Sequence, residues 1–215
     1  MGNNIKAVIF DIDGTLSSDI SWTKLTLLLG KSVPDHLKIY EDFKTGKLEY
    51  EESKRLLLKL WRGEGVLHKN KLQKIFDSWI IKENTIPLFS YLKSKRYITC
   101  LITGSVDLFA QTIAGKVGAD FWYANTILHW DEDDILQDFD YELNAADKKL
   151  EQFENFKKQN SLENSECVVV GDDSNDIELF KITQHGIIVE SPTSSVLELF
   201  AWKKVKDLIE IKNIL

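Results

Sequence analysis

The 215 residues suffice for one large domain or for a core with an insertion, and 43% hydrophobic with 28% charged residues is an ordinary globular composition. A formal net charge of −7 argues against nucleic acid as a partner, because a phosphate backbone is held by a basic footprint. No apolar run approaches the length that spans a bilayer, so no membrane partner is expected, and an anionic ligand must be held by local positive groups or a metal.

The first expected element is a strand over residues 5–11, whose apolar run Ala7-Val8-Ile9-Phe10 reads as buried on both faces. That run is too short for the hydrophobic region of a signal peptide, and Asp11 ends it. Cys100 and Cys167 each sit inside an apolar run and read as buried free thiols, so a reducing, cytoplasmic setting is expected. Residues 20–83 carry helical patterns and no clear strand signal. One runs over about 20–29 and stops at Gly30; a second follows Pro34, with Leu37, Tyr40 and Phe43 on one side, and stops near Gly46. A third carries Leu56, Leu57, Leu60 and Trp61, and a fourth carries Leu72, Ile75, Phe76, Trp79 and Ile80.

From Thr85 onward strand and helix alternate. Helices are expected over 87–95, 108–117, 150–159 and 177–182, and strands over 97–103, 121–124, 167–170, 186–189 and 205–209. A separate hairpin is expected from 127–130 and 135–136 around Asp131-Glu132-Asp133-Asp134, a solvated tip whose spacing matches no calcium loop. His36, His68, His129 and His185 show no metal-ligand spacing. The expected fold is α/β: a Rossmann-like three-layer core with a mostly parallel sheet from 1–16 and 85–215, plus a small all-helical cap over 17–84.

Four places in this layout carry chemistry. Asp11 and Asp13 end the first strand, and residues i and i+2 of a strand point the same way, so both carboxylates face the edge where open α/β sheets bind ligands. Two anions held close shift each other's pKa, and a divalent cation relieves the repulsion; taken alone, Asp-x-Asp-Gly equally fits a turn or helix cap. Thr103-Gly104-Ser105 follows the next strand, where a hydroxyl, backbone N–H groups and a glycine suit a phosphate oxygen, although alone this is a common turn. Lys148 and Lys149 sit near a helix start, where a cation opposes the helix dipole at a cost of roughly a few tenths of a kcal/mol unless it faces an anion. Gly171-Asp172-Asp173-Ser174-Asn175-Asp176 ends a buried strand with the hard oxygen ligands that Mg²⁺ takes, Asp172 foremost, with Asn175 and Asp176 orienting it or its waters.

Asp11-Ile12-Asp13-Gly14-Thr15 after a strand resembles the first motif of the haloacid dehalogenase superfamily, a group of mostly Mg²⁺-dependent phosphohydrolases. The other three places occur in that family's order, and the resemblance covers almost the whole chain. It is closest to the phosphoserine phosphatase-like branch, through the segment from Gly46 to Arg55 and the hairpin after Phe121. The resemblance implies that Asp11 attacks phosphorus and Asp13 is general acid and base. It implies phosphate binding by Thr103, Gly104 and a lysine, which by spacing to Asp172 is Lys149 rather than Lys148. It implies Mg²⁺ held by Asp11, the backbone carbonyl of Asp13 and Asp172, with Arg55 gripping a substrate carboxylate. Two departures stand out. That branch has a glutamate soon after the first motif to hold the substrate amine, where this chain reads Ser17-Ser18-Asp19-Ile20-Ser21, so Asp19 is shorter and one place off. That branch also has two glycines where this chain has Gly104-Ser105. The expected function is an Mg²⁺-dependent phosphomonoester hydrolase acting through an aspartyl phosphate on a small, phosphoserine-like metabolite, as a monomer or homodimer. The alternatives are a phosphatase for another small phosphate ester, a phosphotransferase, and a catalytically silent phospho-ligand binding protein.

Overall fold

The computed structural model describes residues 4–191 and 194–215. Its strands are β1 (Ala7–Phe10), β2 (Ile98–Val106), β3 (Phe121–Trp130), β4 (Leu136–Tyr141), β5 (Cys167–Gly171), β6 (Gly186–Val189) and β7 (Lys203–Val205). They form one sheet in the order β4-β3-β2-β1-β5-β6-β7, parallel throughout except for the antiparallel β3–β4 pair. Between β1 and α5 (Thr85–Ser94) lie α1 (Ser21–Leu28), α2 (Val33–Lys44), α3 (Tyr50–Arg62) and α4 (Lys69–Asp77). Further helices are α6 (Asp107–Val117), α7 (Ala145–Asn160) and α8 (Ile177–Thr183).

β1 is central because every one of its residues is apolar and can be covered on both faces. Side chains alternate across it. Val8 and Phe10 join one core with Leu101, Val170 and the residues of α5 and α6, while Ala7 and Ile9 join the other with Phe153 and Phe156 of α7 and Leu179 and Phe180 of α8. The result is the expected three-layer, Rossmann-like α/β arrangement. Register aligns Phe10 with Leu101 of β2 and Val170 of β5. The chain leaving all three strands therefore emerges at one sheet edge, where ligands bind in such folds.

Two expected elements need correction. Residues 121–124 are not a strand separate from the hairpin: β3 runs unbroken to Trp130, parallel to β2 and then antiparallel to β4. Asn125-Thr126 reads as a polar break, yet both residues are buried, and Asn125 exchanges hydrogen bonds with the backbone of Glu142 at 3.0 and 3.2 Å. The last strand is β7, ending at Val205, and residues 208–213 form a 3-10 turn. Asp207 stops the strand by accepting from Ile209 N–H at 2.9 Å. Helix α7 also begins earlier than periodicity suggests, since the Asn144 side chain accepts from Asp147 N–H at 3.3 Å and caps it.

α1, α2 and α3 pack on one another, and their buried Leu25, Leu29, Leu57, Leu58 and Trp61 continue the core on the Val8 and Phe10 face of the sheet. Trp61 stacks on Trp22 with centroids 5.7 Å apart, and the buried Thr26 hydroxyl accepts from Trp61 Nε1 at 2.8 Å and lies 2.6 Å from His36 Nδ1. α4 faces α6, with Phe76 and, past the helix end, Trp79 packing on Phe109 at 5.2 and 4.8 Å; the helix stops at Asp77, so the expected stripe does not extend to Ile80, which is exposed. Among the described residues no helix is long and apolar enough to cross a membrane.

Candidate active site

Asp11 follows β1, and its N–H donates to Val170 C=O at 3.0 Å, which locks the start of the loop to β5. Its Oδ1 accepts from Ile12 N–H at 2.7 Å. The next turn needs Gly14: φ is +77°, and a Cβ there would sit 2.0 Å from Asp172 Oδ2. The carboxylate of Asp172 therefore lies directly against the first loop, where Thr15 Oγ1 donates to its Oδ1 at 3.0 Å. Asp176 folds back under β5, with Oδ2 accepting from Asp172 N–H at 3.3 Å.

Lys149 comes from the first turn of α7, is 1% exposed, and joins these pieces. Its Nζ meets Asp176 Oδ1 at 2.7 Å, Asn175 Oδ1 at 2.9 Å and Asp11 Oδ2 at 3.2 Å. Lys148 faces the other way and pairs with Glu151 at 2.9 Å. Thr103 is fully buried inside β2, which does not end at 103 as expected but runs on through Gly104 and Ser105 to Val106 with a shift of register, and its Oγ1 accepts from Ser105 N–H at 3.2 Å. Beside Gly104 there is open space, since a Cβ there would meet no atom within 4 Å. Its carbonyl accepts from Trp22 Nε1 at 3.4 Å.

Asp13 is held from the other side. Its Oδ2 accepts from Ser21 Oγ at 2.5 Å, whereas its buried Oδ1 has no hydrogen-bond partner among the described residues. Lys82, where the chain returns from α4, donates from Nζ to Gly14 C=O at 2.5 Å.

Buried acids outnumber buried cations here. Burial pushes the Asp11 carboxyl well above the ordinary carboxylate range; Asp176, Asp172 and Asp13 push the same way, and Lys149 opposes. Burial lifts Asp13 to about 6 against the pull of its hydrogen bonds from Ser21. Burial alone would lower Lys149, but its ion pairs with Asp11 and Asp176 raise it overall. A divalent cation would balance this charge, and the donor set suits one: one oxygen each from Asp11, Asp172 and Asp176 lies within 4.8 Å of the others. Asp176 is already engaged by Lys149 and Asp172 N–H, which fits a supporting place beside Asp11 and Asp172.

The structure thus brings Asp11, Asp13, Lys149, Asp172, Asn175 and Asp176 to one edge, with Thr103 and Gly104 near the end of the adjoining strand. It does not bring Arg55 or Asp19 into the carboxylate cluster. Arg55 is exposed on α3 and pairs with Glu52 at 2.6 Å, and Asp19 pairs with Lys24 at 3.4 Å. Sequence reasoning missed Thr15, Ser21, Lys82 and Ser105 as contributors. Thr15 and Ser105 stand inside the first and second motifs and were within reach; Ser21 and Lys82 matter only through contacts that the folded chain creates.

The chain matches the haloacid dehalogenase-like hydrolase family over residues 5–181. It is 27% identical over 176 residues to a phosphoserine phosphatase of Methanocaldococcus jannaschii, covering 82% of this chain and 81% of the relative. Among solved structures it resembles a phospho-aspartyl intermediate analogue of phosphoserine phosphatase, at 25% identity and a TM-score of 0.73, covering 98% of this chain and 99% of that one. A HAD family hydrolase from Salmonella enterica serovar Typhi shares the fold at 17% identity and a TM-score of 0.77, over 94% of this chain and 68% of the other.

Proposed function

Because the chain belongs to the haloacid dehalogenase-like hydrolase family, on its phosphoserine phosphatase-like branch, we propose that Asp11 is the nucleophile of a phosphatase acting on a small phosphorylated metabolite. The observation that carries this reading is the buried contact of Lys149 Nζ with Asp11 Oδ2 at 3.2 Å, beside the Asp172 and Asp176 carboxylates. A carboxylate approaches a phosphate dianion only if the charge on both is neutralised, and a buried, fixed ammonium does part of that.

In this mechanism Asp11 attacks phosphorus in line, the bond from phosphorus to the leaving oxygen breaks, and an aspartyl phosphate forms. Asp13 gives its proton to the departing alkoxide. Water then attacks phosphorus, Asp13 takes its proton, and the bond from Asp11 to phosphorus breaks to release inorganic phosphate. Thr103 and the backbone beside Gly104 bind phosphoryl oxygens, and Lys149 holds Asp11 and the phosphate together. Mg²⁺, when bound, supplies neutralisation of the phosphoryl charge; Asp11, Asp172 and the backbone carbonyl of Asp13 would hold it, with Asn175 and Asp176 fixing those ligands. Residues 17–84 act as a cap over the core of 1–16 and 85–215, excluding bulk water.

The proposed substrate is phosphoserine-like, in keeping with the named relatives, and Arg55 is the group proposed to grip its carboxylate. Another small phosphate ester is the second reading, favoured by the ion pairs that occupy Arg55 and Asp19. The test is phosphate release from phosphoserine, phosphothreonine, phosphocholine, phosphoethanolamine, sugar phosphates and an aryl phosphate, with and without Mg²⁺. Mg²⁺-dependent release led by phosphoserine supports the first reading, and release led by another ester supports the second. No release from any of them refutes a hydrolase of this class of substrate.

A further inference from the structure

Asp13 is gripped on one side only, and by a serine pair that spans two parts of the fold. Ser21, the first residue of α1, is 2% exposed, and Ser105, beyond Thr103 on β2, is 1% exposed. Their hydroxyl oxygens lie 2.6 Å apart, and Ser21 Oγ lies 2.5 Å from Asp13 Oδ2. A hydroxyl carries one proton. Ser21 gives its own to the carboxylate and so must accept from Ser105, which fixes the order Ser105 to Ser21 to Asp13. With Oδ2 satisfied in this way, the buried Oδ1 has no partner among the described residues, a costly state in an enclosed site.

We propose that Ser21 and Ser105 are positioning residues for Asp13, holding Oδ2 so that Oδ1 is the oxygen that exchanges a proton with the leaving group. This rests on the phosphatase reading above. Ser21 lies on α1 and Ser105 on the strand end that carries Thr103, so the grip exists only when α1 is seated against β2. The grip therefore couples the seating of the cap to the orientation of the acid. Simple capping of α1 by Asp13 would account for the Ser21 contact, but it leaves the Ser105 contact without a role.

The two explanations separate by leaving group. An alkoxide needs a proton as it departs, whereas an aryl oxide of low basicity does not, so mispositioned acid harms only the first. Single-turnover transfer of phosphate to the enzyme is measured with an alkyl and an aryl phosphate for wild type, Ser21→Ala, Ser21→Thr, Ser105→Ala and the double alanine variant. Expected are a loss of about tenfold or more on the alkyl ester in Ser21→Ala, a change under about threefold on the aryl ester, and recovery in Ser21→Thr. Ser105→Ala is expected to show a smaller loss of the same kind, and to add nothing to Ser21→Ala. Ser105→Ala leaves the helix start untouched, so it decides the matter if Ser21→Ala does not fold. Equal losses on both esters, changes in KM or thermal stability alone, or fully additive losses overturn the proposal. A wild type inactive on both esters refutes the phosphatase reading instead.

Discussion

Lys149 is the residue on which the charge balance of the site turns. Its ammonium is buried against two carboxylates, and removing one partner of such a group leaves the rest uncompensated. Lys149→Met is expected to cost about 3–5 kcal/mol of stability by denaturant unfolding without metal, and to abolish turnover. Asp11→Asn is expected to abolish turnover while its thermal unfolding stays cooperative. His36 gives a second, independent test. Burial lowers the pKa of its imidazole from the ordinary 6.5, so the fold favours the neutral ring. The stability it contributes is complete above pH 6.5 and is lost as pH falls through the lowered value. His36→Phe should therefore flatten the decline in stability below about pH 6.5 that wild type shows. Asp11, Asp13, Asp172 and the lysine pair were legible because each stands at the end of an apolar run or the start of a helix, where position alone implies a shared edge. Ser21 and Lys82 were not. Their partners, Asp13 and Gly14, are 8 and 68 residues away in sequence, and nothing local marks either contact.

Between elements, the seam of interest joins α3 and the segment after it to the β3–β4 hairpin. Arg62 Nη2 donates to the carbonyls of Leu136 and Gln137 at 2.7 and 2.5 Å, and Lys54 pairs with Asp138 at 3.1 Å. The Tyr50 hydroxyl accepts from Tyr141 N–H at 3.0 Å, and Leu136 N–H donates to Leu67 C=O at 2.8 Å. α3, which packs on the Ser21-bearing α1 through Trp61 and Trp22, is thus tied to the sheet through β4. Arg62→Ala is expected to cost about 1–3 kcal/mol, because two carbonyls lose a charged donor, and to speed amide exchange in β4 before the central strands. This seam was invisible in the sequence. The hairpin was expected to begin at 127 after a short strand over 121–124, and the joining of the two in β3 and the pairing with residues 67–69 depend on tertiary packing that overrides the polar Asn125-Thr126 pair. The helices themselves were legible from period and from stops such as Gly46, which follows the end of α2 with a φ of +72°.

At the scale of the whole molecule, a chain of net charge −7 gathers the buried Asp11, Asp172 and Asp176 at one sheet edge, where Lys149 is the buried cation that meets them. Such a site is stabilised by any divalent cation it binds. Mg²⁺ at about 100 times its Kd should stabilise the protein by about 2.7 kcal/mol, and Asp172→Asn should remove most of that gain. Arg55 sits on the exposed side of α3, so its place in recognition depends on exchanging Glu52 for a substrate carboxylate. Arg55→Ala should reduce phosphoserine hydrolysis much more than aryl phosphate hydrolysis, and equal losses would remove Arg55 from recognition. The central claim, that phosphate passes through Asp11, is tested most directly by acid-quenching turnover within milliseconds and weighing the protein and its Asp11 peptide. A transient gain of one phosphoryl group on that peptide is expected in wild type and none in Asp11→Asn. Turnover with no such adduct at any time, or with the adduct on another residue, would contradict it.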